Sequence, residues 1–153
     1  MARTMPALPV RAVAAMQDGC PAVLVTVGAD GWGHAVMTWA LALDAGHVRF
    51  AADHGTVTLA NLERTGRAAL QVIAAADVLV LVKGEARQVR ARIAAAPFAM
   101  AAWELVVREV RDQTFAGVTV TPLAFEWTGP RAAALREVER RVLAELREEP
   151  GGR

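Results

Sequence analysis

The sequence DAGHVRFAADHGTVTLANLERTGRAALQV (residues 44–72), followed by LVLVKGEARQV (residues 79–89), decides the fold of this chain. Its hydrophobic pattern and turn residues predict a strand, a short loop, a helix and two further strands, at 48–52, 53–55, 56–64, 67–74 and 78–89. Thr56 is a favourable N-cap for the helix, and Gly66 is well placed to end it. Gly84 lies inside the last strand, which indicates a bulge or a close approach of two backbones.

The residues before this stretch predict a short helix at 10–18 and strands at 22–27 and 34–43. The strand at 34–43 alternates between large and small side chains, so its two faces differ. Met37, Trp39, Leu41 and Leu43 form the bulky face, and Val36, Thr38, Ala40 and Ala42 form the small one. We expect the bulky face to enter the protein core. The small face would then leave room for a flat ligand or a partner strand.

The residues after it predict a helix at 97–112, a strand at 117–127 and a charged helix at 131–149. The first of these helices would carry Trp103, Val106, Val107 and Val110 on one stripe, and the last has an apolar seam of Leu135, Val138, Val142 and Leu146. Six strands with few helices favour a small closed barrel over an open sheet. An OB-like barrel and a plain α+β sheet are the alternatives. The length of 153 residues predicts a single domain, 1–153.

The composition excludes several classes of function. Seventeen basic and sixteen acidic residues nearly balance, and no segment forms a basic stripe, so we expect no nucleic-acid partner. No apolar run is long enough to span a bilayer, and we expect a soluble, cytoplasmic protein without a membrane partner. Serine and tyrosine are absent, which excludes a serine nucleophile and a tyrosine acid. The single cysteine, Cys20, and the lack of metal-ligand spacing predict no metal site.

The order of elements around residues 44–89 resembles the FMN-binding split-barrel family related to pyridoxamine 5'-phosphate oxidase. The resemblance extends over residues 20–128 and lies more in pattern than in identity. It implies a mainly β fold, a six-stranded antiparallel split β-barrel with flanking helices. It also implies a homodimer in which FMN and a small-molecule ligand lie in the groove between the two subunits.

The resemblance further implies which residues contact the cofactor. The backbone of the second strand would approach the flavin ring, and the loop before the helix would hold the phosphate. The candidate cofactor-binding residues are therefore Val36, Met37, Thr38 and Trp39 for the ring, and His54, Thr56 and Thr58 for the phosphate. The two threonines are equally interpretable as helix-capping residues, and His54 as a solvated loop residue. Trp39 and Trp127 are also typical of core or dimer-interface aromatics.

Three polar anchors of the family are replaced in this chain. Thr58 stands where many members have a phosphate-binding lysine, Val36 where oxidase-like members have an arginine, and Leu79 where a glutamine meets the cofactor. A phosphate held without fixed cations is bound more weakly, because charge-assisted hydrogen bonds are the strong ones. We therefore expect a weakened phosphate site and salt-sensitive FMN binding, unless Arg64, Arg67 or a basic residue of the partner compensates. Oxidation of pyridoxamine phosphate itself is not expected.

These observations predict an FMN-binding, oxidoreductase-like protein of unknown substrate, with no catalytic residue assigned. Two alternatives stay open. One is a deazaflavin-dependent relative, and the other is a cofactor-free dimeric barrel that acts as a binding module. Neither a triad nor paired carboxylates occur, but flavin chemistry needs few protein acids or bases because the cofactor carries the redox step.

Overall fold

The computed structural model describes residues 2–151, which form seven strands and three helices. In chain order these are β1 (Arg3–Met5), α1 (Val10–Met16), β2 (Cys20–Val27), β3 (Gly33–Asp44), β4 (His47–Asp53), α2 (Val57–Thr65), β5 (Arg67–Ala74), β6 (Val78–Arg90), β7 (Met100–Asp112) and α3 (Ala132–Arg147). None of the helices in this part of the chain has the length and apolarity needed to cross a membrane.

The strands form a closed antiparallel barrel. The barrel order is β7-β4-β3-β2-β5-β6, and an additional pairing of β6 with β7 completes the circle of six strands, while β1 pairs with β7 outside it. The core is filled by aliphatic side chains from all six strands together with Met16 of α1 and Leu62 of α2. The mainly β, six-stranded barrel predicted from the sequence is therefore confirmed.

The helix predicted at 97–112 is wrong, because residues 100–112 form the strand β7. Residues 100–105 are all buried, with Ala101 and Trp103 in the barrel core and Met100 and Ala102 under α3. A strand buried on both faces loses the alternation that marks strands in a sequence. The spacing of its valines then resembles a helical stripe, but pairing with β1, β4 and β6 satisfies its backbone and decides the structure.

The strand predicted at 117–127 is also wrong. This segment has no regular secondary structure, although the amide of Leu123 donates a hydrogen bond to the carbonyl oxygen of Ile73 at 2.9 Å. Pro122 has no amide hydrogen and cannot take part in a continuous ladder. The number of barrel strands was therefore predicted correctly, but the sixth strand is β7 and not the segment 117–127.

The two faces of β3 are reversed relative to the prediction. Ala40 and Ala42 of the small face lie in the barrel core, where the large side chain of Phe50 fills the space. Leu41 of the bulky face is fully buried outside the barrel, in a second apolar cluster with Val142 and Leu146 of α3. The physical reason is that α3 covers the outer face of this part of β3, so residues 40–42 are shielded from water on both faces.

A buried ion-pair network holds the end of α3 against the barrel. Arg49 Nε donates to Glu104 Oε2 at 2.6 Å, and Arg87 also donates to Glu104. Arg49 Nη1 donates to the carbonyl oxygens of Leu146 and Glu148 at 3.0 and 2.9 Å. These two carbonyls lie at the C-terminal end of the helix, where cations are favourable. The predicted helix and its apolar seam are confirmed, with observed bounds of Ala132–Arg147.

Candidate functional site

The barrel is split between β3 and β4. Residues Gly33–Ala40 of β3 pair with β2, but pairing with β4 begins only at Ala40. The first half of β3 therefore diverges from β4 and leaves one backbone edge without a strand partner among the described residues. A cavity of about 700 Å³ opens at this place, a size that falls within the range of small-molecule sites.

Three sets of residues line the cavity. The first comes from the diverging strands and the second from the beginning of α2; these are His34, Val36, Met37, Thr38, Trp39, Ala51, Ala52, Asp53, Thr56, Val57 and Thr58. The third set comes from loop segments and the start of β7 and consists of Phe98, Met100, Phe125 and Trp127. The walls are thus mainly apolar and aromatic, and polar groups are concentrated at the N-terminus of α2.

The N-terminus of α2 combines a cap with an unsatisfied hydroxyl group. Thr56 Oγ1 accepts a hydrogen bond from the amide of Leu59 at 3.3 Å and donates to the carbonyl oxygen of Asp53 at 2.7 Å. The predicted capping role of Thr56 is therefore confirmed. Thr58 is only 3 % exposed, and its Oγ1 has no hydrogen-bond partner within the described protein. A buried hydroxyl without a partner is costly, and ligand-binding sites are one place where it occurs.

The cavity carries little positive charge. None of its described lining residues is a lysine or an arginine, and the ionisable ones are His34 and Asp53. Partial burial raises the pKa of Asp53 above its ordinary value. Arg64 donates instead to Asn61 Oδ1 at 3.0 Å and to the carbonyl oxygen of Val27. It is thereby held at the far end of α2, where it does not replace the missing lysine.

The predicted cofactor-binding residues are largely brought together. Val36, Met37, Thr38, Trp39, Thr56 and Thr58 all line the cavity. The hydroxyl of Thr38 already donates to the carbonyl oxygen of Ala51 at 2.7 Å, which ties β3 to β4 near the split. His54 is not among the lining residues, and its Nε2 contacts the carbonyl oxygen of Ala91 at 2.6 Å. A contact between His54 and a phosphate remains a prediction.

Sequence reasoning missed much of the aromatic wall. Phe98 and Met100 were assigned to a helix that does not exist, and Phe125 was placed on a strand without a role in the site. Phe125 and Trp127 pack edge to face with ring centroids 5.4 Å apart. The pair Phe-x-Trp in LAFEWTGP was the available signal, because two aromatics separated by one residue lie on the same side of an extended segment.

Residues outside the cavity behave as structural groups. Lys83 pairs with Glu109 at 3.0 Å. Cys20 packs against the barrel core, and burial raises the pKa of its thiol to about 11. Asn61 is buried and donates to Thr26 Oγ1 at 3.0 Å.

The architecture is that of a split barrel with a groove beside α2, the helix that follows the third barrel strand. Comparison with known proteins agrees with it. Residues 11–129 match the family model described as pyridoxamine 5'-phosphate oxidase. The match covers more than half of the chain, so the chain belongs to this family. A search among curated proteins gave no match.

The solved structures that are similar to this chain include the following two. One, from Lactobacillus delbrueckii, is provisionally described as a pyridoxamine 5'-phosphate oxidase; it is 21% identical, with a TM-score of 0.54, covering 69% of this chain and 98% of the other. The second is a protein of unknown function from Agrobacterium tumefaciens, 16% identical with a TM-score of 0.51, covering 74% of this chain and 61% of the other. At these identities the two structures support the fold alone.

Proposed function

We propose that this chain binds FMN in the groove between β3 and β4 and acts as an oxidoreductase-like protein. The observation that carries the proposal concerns Thr58, a residue of the cavity lining at the N-terminus of α2, whose buried hydroxyl has no hydrogen-bond partner in the described protein. A phosphate oxygen would supply the hydrogen-bond acceptor that this hydroxyl lacks. Membership of the family provides the reason to consider a flavin phosphate first.

The start of α2 offers further donors for an anion. The first amides of an α-helix have no partner inside the helix. Here the amide of Leu59 donates to Thr56 Oγ1, and the amide of Ala60 donates to the carbonyl oxygen of Thr56. The amides of Val57 and Thr58 come before this first helical hydrogen bond. Such amides and the helix dipole favour a bound phosphate. Because lysine and arginine are absent from the described lining, we expect the binding to be weak and sensitive to salt.

The remainder of the groove suits a flat ring. The unpaired edge of β3 provides backbone donors and acceptors for the polar edge of a flavin. Trp39, Phe98, Phe125 and Trp127 provide apolar surfaces. Bound FMN would supply the redox chemistry, whereas the chain's own residues would bind and orient the ring and its substrate. Pyridoxamine phosphate would bring a second phosphate group beside that of FMN. The described lining of the groove has no lysine or arginine to bind it, so a different substrate is expected.

The proposal includes a homodimer that covers the groove. Met37, Val57 and Phe98 line the cavity and are nevertheless 52%, 57% and 49% exposed. Large apolar side chains that are grouped and exposed are typical of interaction sites. A second copy of the chain, placed over this groove, would bury them and complete the walls of the site.

The proposal is tested by comparing FMN with riboflavin, which has the same ring but no phosphate. Each is titrated into the purified protein and followed by flavin fluorescence, at low and at high salt. We expect FMN to bind more tightly than riboflavin, and the difference to shrink as the salt concentration rises.

The same titration separates the alternatives. Equal affinities for FMN and riboflavin would show that the ring site is right and the phosphate site wrong. Binding of a deazaflavin in place of both flavins would favour the deazaflavin-dependent relative. Absence of binding of all three at high-micromolar concentration would overturn the proposal in favour of a cofactor-free binding module.

A further inference from the structure

The outer wall of the groove is built from two irregular segments. Residues 91–99 carry Phe98, and residues 113–131 carry Phe125 and Trp127. Neither segment belongs to a barrel strand, so the pairing of the barrel does not by itself determine where these aromatic rings lie. Backbone hydrogen bonds tie Ala99 to His54 and Leu123 to Ile73. The positions of the rings depend in addition on side-chain contacts to a more rigid part of the molecule.

Helix α3 makes such a contact with each segment. Trp127 Nε1 donates to Glu139 Oε2 at 2.6 Å. The amides of Ala94 and Ala95 donate to Glu145 Oε1 and Oε2 at 2.8 and 2.9 Å. A single carboxylate therefore accepts hydrogen bonds from two successive backbone amides. Hydrogen bonds to an ionised acceptor are about twice as strong as those between neutral groups. Each segment is thus tied to α3 by a strong contact.

The helix is itself firmly attached to the barrel. Val142 and Leu146 are fully buried in the cluster beneath it, and the buried side chain of Arg49 donates to its last carbonyls. Glu139 and Glu145 therefore project from a fixed support. Because the rings of Phe125 and Trp127 pack against each other at 5.4 Å, a contact that fixes Trp127 also restricts Phe125.

We propose that Glu139 and Glu145 are positioning residues of the groove, which fix the aromatic side chains that contact the flat ligand. This inference rests on the proposed function for the identity of that ligand, since it concerns the wall of the same site. Neither carboxylate belongs to the described cavity lining. Their effect on binding is therefore exerted through Trp127 and through the segment that carries Phe98.

The experiment uses the full chain with the substitutions Glu139→Ala, Glu139→Gln and Glu145→Ala. Glu137→Ala is the matched control, because Glu137 lies on the same helix and pairs only with Arg140 and Arg141 in the described structure. The first readout needs no ligand. It is the indole ¹H–¹⁵N resonance of Trp127, assigned by its loss in Trp127→Phe, together with hydrogen exchange of the Ala94 and Ala95 amides.

We expect Glu139→Ala to move the Trp127 resonance and to weaken FMN binding by about 3- to 10-fold, the effect of one lost hydrogen bond. Glu139→Gln keeps an acceptor oxygen and should restore most of the affinity. Glu145→Ala should accelerate exchange at Ala94 and Ala95 and weaken FMN binding to a similar extent. Glu137→Ala should change none of these quantities.

The two proposals fail in different ways. If the wild type binds no flavin but Glu139→Ala still moves the Trp127 resonance, the proposed function fails and the positioning contact stands. If the wild type binds FMN and both alanine variants match Glu137→Ala in affinity and in the ligand-free readouts, the positioning role is overturned. Thermal unfolding of every variant identifies a general loss of structure, and Glu139→Gln supplies the comparison if an alanine variant does not fold.

Discussion

A Cβ atom added to Gly84 in β6 would lie 2.2 Å from the carbonyl oxygen of Val106 in β7. The neighbour is backbone and cannot rotate away. The register of the two strands shifts between Lys83 and Gly84, so the close approach coincides with a β-bulge. These two strands make the pairing that closes the barrel, which explains why a residue without a side chain stands there.

We expect Gly84→Val to lower the free energy of unfolding by ~1–3 kcal/mol, because β6 and β7 must separate to admit the side chain. Urea denaturation measures the change. Gly33→Ala is the control, since an added Cβ at Gly33 meets nothing within 4 Å. Equal stability of Gly84→Val and the wild type would contradict the role of this contact in barrel closure.

Glu104→Gln should destabilise the protein by about 3 kcal/mol, because it leaves the guanidinium of Arg49 without its buried counter-charge. The two side chains are 4% and 3% exposed. Glu85→Gln is the control, since the pair between Glu85 and Arg108 is exposed. We expect no measurable change from it, as surface ion pairs contribute little.

The stability supplied by Glu104 should depend on pH. Burial alone would raise its pKa, but hydrogen bonds and charges from Arg49 and Arg87 hold it below the ordinary value of 4.5. A lowered pKa in the folded state supplies stability above the ordinary value, and this stability is lost as the pH falls through the folded pKa. The difference between wild type and Glu104→Gln should therefore be constant between about pH 5 and 7 and decrease below that. An increase on acidification would contradict the assignment.

Thr58→Val should separate binding from stability. The substitution removes a buried hydroxyl that has no partner in the ligand-free protein, so the free energy of unfolding should stay equal or rise slightly. FMN binding should weaken by about 1–2 kcal/mol, roughly 5- to 30-fold, while riboflavin binding stays unchanged. Thr65→Val, at the other end of α2, serves as control for the titration. Equal FMN affinity in Thr58→Val and wild type would remove Thr58 from the phosphate site.

Cys20 should react slowly with thiol reagents in the native protein. Its pKa of about 11, compared with 9.0 for a free thiol, leaves about 100-fold less thiolate at pH 8. Alkylation by iodoacetamide at this pH should therefore be about 100-fold slower than in denatured protein, where the ordinary pKa applies. Equal rates in the two states would show that the thiol is not buried.

Light scattering at micromolar concentration should give about twice the monomer mass of 16.3 kDa. Met37→Glu places a charge in the exposed apolar rim of the groove and should shift the protein towards the monomer, since an unpaired charge is costly to bury. Val10→Glu is the control, because Val10 is 87% exposed and lies on α1, outside the described groove. A wild-type monomer at this concentration would argue against the shared groove.

The sequence alone determined those parts of the protein in which local signals suffice. The helix α2 was predicted from a threonine at its start, Thr56, and a glycine just after its end, Gly66. In the structure Thr56 caps the helix, and Gly66 ends it with a φ of 61°. The close approach at Gly84 and the helix α3 were predicted from a single glycine and from a regular apolar seam. Thr56, Thr58 and the residues of β3 were identified as candidate site residues from the resemblance to the split-barrel family, which the order of strand, loop and helix made recognisable.

The tertiary structure decided what depends on distant partners. Residues 100–112 form a strand because β4 and β6 are available on both sides, although their own pattern indicates a helix. The bulky face of β3 points away from the barrel because α3 covers it. Likewise, Glu139 binds Trp127 and Glu145 binds the segment that carries Phe98, although these glutamates lie 12 and 47 positions further along the chain than the two aromatic residues. Periodicity reports which side of a segment is apolar, but only the assembled chain determines what that side faces.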